Sequence, residues 1–133
     1  MKDLFGRISE KLKKSEDEEW FGQVRQLKQE FDVIDVEVQI ALKNKPSEDL
    51  LPAFNRASTD IPVILAKLKG LLPKGEHNQS SWQIFREALN TYLLACEHFR
   101  GSVLENDERE YVRGIKEMKD AEMLLKQAKS LFK

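Results

Sequence analysis

The chain has 133 residues, an apolar fraction of 41% and a net charge of −1, with 22 Lys and Arg against 23 Asp and Glu. This length predicts one domain with a real hydrophobic core, and the composition excludes an intrinsically disordered chain. The balanced charge gives no overall attraction to nucleic acid. The single cysteine excludes an internal disulfide bond and, with charges interrupting the apolar residues near the N-terminus, predicts a cytoplasmic protein. No apolar run is long enough to predict a membrane span.

The beginning of the chain is basic and amphipathic. Residues 2–14 contain five basic and two acidic residues, a local charge of 5 − 2 = +3. We interpret residues 1–14 as an amphipathic N-terminal arm and residues 15–133 as a helical bundle. A helix as short as the arm is marginal in water, so it needs a surface: its own bundle, a partner protein or a membrane. The apolar face of the arm consists of Leu4, Phe5, Ile8 and Leu12.

Four longer segments carry apolar residues alternately three and four positions apart, which predicts four helices that each bury one face. The pairs Ser15–Glu18 and Ser80–Gln83 are capping-box sequences and predict the starts of the first and third helices. Asp107 and Glu110 predict the start of the fourth in the same way. The four apolar lines are Trp20, Val24, Leu27, Phe31, Ile34, Val38 and Ala41; Leu50, Phe54, Ala57, Ile61, Ile64, Leu68 and Leu71; Trp82, Phe85, Leu89, Tyr92, Cys96, Phe99 and Val103; and Tyr111, Gly114, Met118, Ala121, Leu125, Ala128 and Phe132.

Two stretches conflict with a purely helical interpretation. Residues 36–40 alternate like a strand and are rich in β-branched side chains. A single strand would have no pairing partner, and the helical spacing continues through it, so we predict helix. Pro62 lies inside the second apolar line, where it either kinks one helix or separates two, with Asp60 capping the second. The apolar line stays in phase across Pro62, which favours one kinked helix.

Short polar connections between long helices place neighbours antiparallel. The sequence therefore predicts an all-α fold: an antiparallel up-down-up-down four-helix bundle with a short N-terminal amphipathic helix.

Motifs for catalysis or for a cofactor are missing from the sequence, so no cofactor, metal or catalytic residue is predicted. We interpret Cys96 as a small buried apolar residue and His98 as a solvated residue on an outer face. The order His98, Phe99, Arg100, Gly101 is similar to the phosphoacceptor sequence of histidine phosphotransfer domains, but its basic residue and glycine come one position early. Basic and acidic residues alternate along the last helix, which is typical of a solvated face and not of a nucleic-acid site.

Two helices carry a second apolar line away from the first, and such surface usually marks an interface. The sequence predicts a non-catalytic interaction or scaffold protein that binds itself, as a homodimer, or another protein. The alternatives are a membrane-surface adaptor with weak peripheral contact through residues 2–14, and a carrier of a small apolar ligand in the bundle core. The candidate interface residues are Val33, Val36 and Ile40 on the first helix and Ile84, Thr91 and Leu94 on the third.

Overall fold

A computed structural model of the chain describes residues 2–43, 51–73 and 75–131. Over these residues the chain forms four helices and no strand, which confirms the predicted all-α class. Residues 36–40, which alternate like a strand in the sequence, are helical. The most extensive contact is between the third and fourth helices, and the second packs against both the first and the third, consistent with a helical bundle. The helices are α1 (Lys2–Lys43), α2 (Leu51–Gly70), α3 (Glu76–Glu105) and α4 (Glu108–Leu131).

The first helix is longer than predicted. The sequence predicts a short helix over residues 2–14 and a new start at Ser15, whereas α1 runs without interruption for 42 residues. The first proline is Pro46, so no residue before it forces the helix to end. The side chains of residues 2–17 lie outside the described part of the structure, so the surface met by Leu4, Phe5, Ile8 and Leu12 stays a prediction.

The second helix continues through Pro62, in agreement with the prediction of one helix over two. Its C-terminal end is held by two tryptophans from neighbouring helices. Trp20 of α1 donates its indole N–H to the backbone oxygen of Leu71 at 3.1 Å, and Trp82 of α3 donates to that of Leu68 at 2.8 Å. The last carbonyl groups of a helix lack partners within the helix, so these two bonds stabilise the end of α2.

The third helix begins at Glu76, earlier than the predicted start at Ser80. Gly75 precedes it with a φ angle of 89°, which glycine adopts without steric cost, and this residue sets the boundary. The capping-box sequence at Ser80 therefore lies inside the helix.

The turn between α3 and α4 has only two residues, Asn106 and Asp107. Asn106 is left-handed, with a φ angle of 51°, and ends α3. The backbone N–H of Asp107 donates to the oxygen of Ser102 at 3.1 Å, and the carboxylate of Asp107 accepts from the N–H of Arg109 at 2.9 Å. The predicted start of the fourth helix at Asp107 is therefore confirmed.

The core is built from the predicted apolar lines. Phe99 lies where three helices meet: its ring stacks on Phe54 of α2, with centroids 5.7 Å apart, and contacts Tyr111 of α4 at 5.6 Å. The rings of Phe31 of α1 and Tyr92 of α3 pack in a T-shaped arrangement, with centroids 4.8 Å apart. Leu50 and Phe132, at two ends of these lines, lie outside the described residues. The fully buried large side chains include Tyr92, Phe31, Phe54, Phe85, Phe99, Ile61, Leu68 and Leu89.

Gly114 allows α4 to approach Phe99 closely. A Cβ atom at this position would lie 2.8 Å from both Cδ1 and Cε1 of the Phe99 ring. Phe99 is fully buried against two other rings, so it has little room to move away. A side chain at residue 114 therefore requires the Phe99 ring or α4 to move.

We expect Phe85→Ala to lower the free energy of unfolding by about 3–5 kcal/mol, because it leaves a cavity in the core. Urea denaturation of the purified protein measures this change. Val112→Ala is the matched control, since Val112 is 66% exposed, and its effect should stay within about 0.5 kcal/mol. A loss below about 1 kcal/mol for Phe85→Ala would show that this ring is not in the core.

Gly114→Ala should destabilise the protein by about 1–3 kcal/mol, because the added methyl group overpacks the Phe99 ring. This loss opposes the gain of about 1 kcal/mol that alanine brings to a helix interior. Gly101→Ala is the control, since nothing lies within 4 Å of a Cβ atom there, and it should be neutral or stabilising. Equal shifts of the melting temperature in the two variants would contradict the close approach.

Candidate interaction surface

Three apolar residues of α1 form a continuous exposed patch on the side of the helix opposite the core. Val33, Val36 and Ile40 are 63%, 58% and 55% exposed. Their spacing of three and four residues places them on one face, whereas Phe31 and Val38, on the opposite face, are fully buried. We call Val33, Val36 and Ile40 the outer patch. All three were predicted as interface residues, and the structure places them together.

The outer patch continues a longer line of uncharged positions along α1. Going back in steps of four and three residues from Val33, the line meets Gln29, Gln26 and Gly22, all of which are exposed. From Gly22 to Ile40 the steps are four, three, four, three and four, which is the heptad spacing of a coiled-coil seam. We call these six residues the outer line.

Charged residues beside the outer patch are paired within the chain. Two pairs connect α1 to α2, and one lies within α1. The patch therefore has an apolar centre and a polar border, which is the usual arrangement of a protein interface. The three pairs are Glu37–Arg56, Glu30–Lys67 (3.8 Å) and Asp32–Lys28.

The predicted interface residues of α3 are arranged differently. Ile84 is partly buried and packs against the core, and Thr91 is also half-buried. Leu94 is 49% exposed. Ile84, Thr91 and Leu94 therefore do not form an exposed patch like the one on α1.

The exposed apolar side chains of α4 are separated by polar residues. Val112 and Met123 are exposed, but Lys116 and Lys119 lie between them. Isolated apolar side chains of this kind are normal on a protein surface. The outer patch of α1 differs because its members follow one another along the same face.

A polar contact inside the bundle connects α1 to α3. The hydroxyl group of Tyr92 donates to the carboxylate of Asp35 at 2.7 Å, and the amide of Gln39 donates to the same oxygen at 3.2 Å. Burial, together with the nearby Cys96 and Asp35, raises the pKa of Tyr92 well above its usual value, so the hydroxyl group keeps its proton and remains a donor. This contact fixes the rotation of α1, and therefore the direction in which the outer patch points.

Cys96 is a free, fully buried cysteine, as the sequence predicts. Burial raises the pKa of its thiol far above neutrality. The reactive form of cysteine is the thiolate, so Cys96 is protonated and unreactive near pH 7.

His98 is not the solvated residue that its sequence position suggests. Its ring is half-buried between two carboxylates of α4: Nδ1 contacts Glu110, and Nε2 lies 3.3 Å from Glu117. The hydrogen bond to Glu110 and the charge of Glu117 raise the pKa of His98, although partial burial acts in the opposite direction. The prediction was wrong because the sequence of α3 does not indicate which side of this helix α4 covers. The signal that was missed is the spacing of Glu110 and Glu117, seven residues apart on one face.

Over the residues that the structure describes, no three His, Cys, Asp or Glu side chains come together as a possible metal site. None of its helices, in that same part of the chain, has the length and apolar character needed to cross a bilayer. Comparison with protein-family models, curated proteins and solved structures finds no match to this chain.

The raised pKa of His98 predicts a stability that depends on pH. When the pKa of a group is higher in the folded state than in the unfolded state, the group stabilises the fold fully at pH values below its unfolded-state pKa, here 6.5. This contribution is lost as the pH rises through the folded-state pKa. Chemical denaturation should find the wild type more stable than His98→Gln by about 1 kcal/mol at pH 5.5. The difference should shrink as the pH is raised above 6.5. A difference independent of pH would show that the protonated ring does not bind these carboxylates.

Proposed function

We propose that this protein is a non-catalytic interaction or scaffold protein that forms a homodimer through the outer patch of α1. The observation that supports this proposal is the continuous exposure of Val33, Val36 and Ile40, each more than half accessible. Burying three such side chains stabilises an association by the hydrophobic effect, at roughly 25 cal/mol per Å² of apolar surface. A two-fold dimer is the commonest oligomer, and in it the patch of one copy is covered either by the same patch or by a different segment of the second copy.

The bundle that carries this patch is, in our proposal, antiparallel with up-down-up-down topology. Contacts between α1 and α2 support this arrangement, because later residues of α1 meet earlier residues of α2. Glu37 pairs with Arg56, Glu30 with Lys67, and Trp20 bonds to Leu71. The short turn between α3 and α4, with their extensive contact, also agrees with it.

The heptad spacing of the outer line favours a helix as the partner of α1. Two helices with this spacing can interlock their side chains along a seam. A second copy of the chain supplies such a helix without any further component. The single cysteine is buried as a free thiol, and we place the dimer in the cytoplasm, where thiols stay reduced.

The test is native mass spectrometry of the full-length protein with Val36→Glu. We expect the wild type at twice the chain mass and the variant at the chain mass, because the substitution places a charge in a desolvated interface. The dissociation constant should rise by roughly a hundredfold or more. Circular dichroism and a melting curve check that the variant keeps its fold.

Val112→Glu on α4 is the matched control, because it adds the same charge at an isolated exposed valine and should leave the dimer intact. Leu94→Glu reports whether α3 also belongs to the interface. A monomeric wild type, or a Val36→Glu variant that remains dimeric, would contradict the proposal. A monomer with additional bound mass would instead support a ligand carrier.

A further inference from the structure

The continuity of α1 relates the N-terminal arm to the outer line. Because the helix is unbroken from Lys2 to Lys43, its backbone carries one helical register over both segments. Going back from Gly22 in steps of three and four residues, the outer line reaches positions 19, 15, 12, 8 and 5. Three of these are Leu12, Ile8 and Phe5. Three of the four apolar positions of the arm, all except Leu4, therefore belong to one line of heptad spacing with the outer patch, and this line also passes Ser15 and Glu19.

The core line of α1 does not continue in this way. Extended back from Trp20 with the same steps, it meets only polar residues and glycine. The arm is therefore matched by its sequence to the outer line and not to the core line. The positions met are Asp17, Lys13, Glu10, Gly6 and Asp3.

The arm is too far from the outer patch of its own chain to cover it. Ile8 and Val36 are 28 positions apart in one helix, which corresponds to about 42 Å. A continuous helix cannot fold back on itself, so only another molecule can bring an arm to the patch.

The charges of the two segments are complementary. Residues 2–14 carry a net charge of +3, whereas residues 29–40 contain four acidic residues and no lysine or arginine. Three of those four acidic residues pair with Lys28, Arg56 and Lys67, whose cations lie at the border of the patch. The segment from 29 to 40 is therefore acidic, as are residues 16–19, whereas the arm is the basic part of α1.

We propose that two copies of this chain pair their α1 helices in antiparallel orientation, so that the arm of each covers the outer patch of the other. This inference rests on the proposed function and names the segment that fills the interface. The two-fold axis crosses α1 between Trp20 and Phe21. Phe5 then packs beside the partner's Val36, and Ile8 packs beside the partner's Val33.

The flanking positions agree with this register. In an antiparallel coiled coil, positions g face g and positions e face e across the seam. Here Lys11 faces the partner's Asp32, Glu18 faces the partner's Arg25, and Lys2 faces the partner's Glu37. Each pair has opposite charges and occurs twice by symmetry, and the remaining nearest flanking pairs contain no like charges.

A parallel pairing is less favourable. It would place Asp32 beside the partner's Glu37 and would bring the two copies of Glu19 together in the seam, although two other flanking pairs would carry opposite charges. It would also place two arms of charge +3 side by side. Like charges at these positions disfavour the parallel dimer, whereas the antiparallel register places Glu19 beside Gly22 of the second copy.

Disulfide cross-linking of the full-length protein tests the register. In the variant Ile8→Cys/Val33→Cys the new thiols lie about 37 Å apart along one helix, far beyond the reach of a disulfide bond. Mild oxidation should therefore produce a covalent dimer on a non-reducing gel, while the buried Cys96 stays unreacted. In the control Ile8→Cys/Val112→Cys the second thiol is on α4, away from the outer line, and the protein should stay uncross-linked.

Charge reversal gives an independent test. Lys11→Glu and Asp32→Lys should each raise the dissociation constant of the dimer by about tenfold, because each breaks two ion pairs. The double variant restores opposite charges and should return close to the wild-type constant. Analytical ultracentrifugation measures all four proteins.

The outcomes separate this inference from the proposed function. In one outcome, Val36→Glu dissociates the dimer, but the Ile8→Cys/Val33→Cys variant does not cross-link and the charge reversals do not change the dissociation constant. This outcome would overturn the pairing of arm and patch, and the proposed homodimer would still stand. A wild-type protein that is monomeric would overturn both.

Discussion

A helix in a bundle can bury only one side against the core, and α1 has apolar residues on two sides. Its core line packs Phe31 against Tyr92, and the bond from Tyr92 to Asp35 fixes its rotation. The outer patch therefore faces away from the bundle and stays more than half exposed. Exposed apolar surface costs free energy in water, and among the residues that the structure describes nothing covers this patch.

Much of the fold could be predicted from the sequence, because burial follows the helical period. Phe54, Phe85 and Phe99 were placed on core lines by spacing alone, and all are fully buried. The helix ends were harder, because a capping sequence marks a start only where the preceding chain leaves the helix. Ser15 and Ser80 have good capping partners, but nothing before Ser15 breaks the helix, and Gly75 already starts α3 before Ser80.

The sequence reveals less about lateral packing, because the period of a helix does not tell which neighbour covers its flanks. His98 was therefore predicted to be solvated, although α4 brings Glu110 and Glu117 to its ring. The same limit explains why the second apolar line of α1 and that of α3 looked equivalent in the sequence. In the structure Ile84 packs against the core, whereas Val36 stays exposed.

The length of α1 bears on the choice between the surfaces on which the arm was predicted to lie. With 42 residues it is about twice as long as α2, which has 20, and most helices gain their stability from packing one face. Docking of the arm on its own bundle would require a break in the helix, for which residues 15–20 offer no proline or glycine. A membrane would take the apolar face of the arm but would leave the outer patch uncovered. In our proposal a second copy covers both at once, with opposite charges in contact, so that a single interface accounts for the arm and for the outer patch.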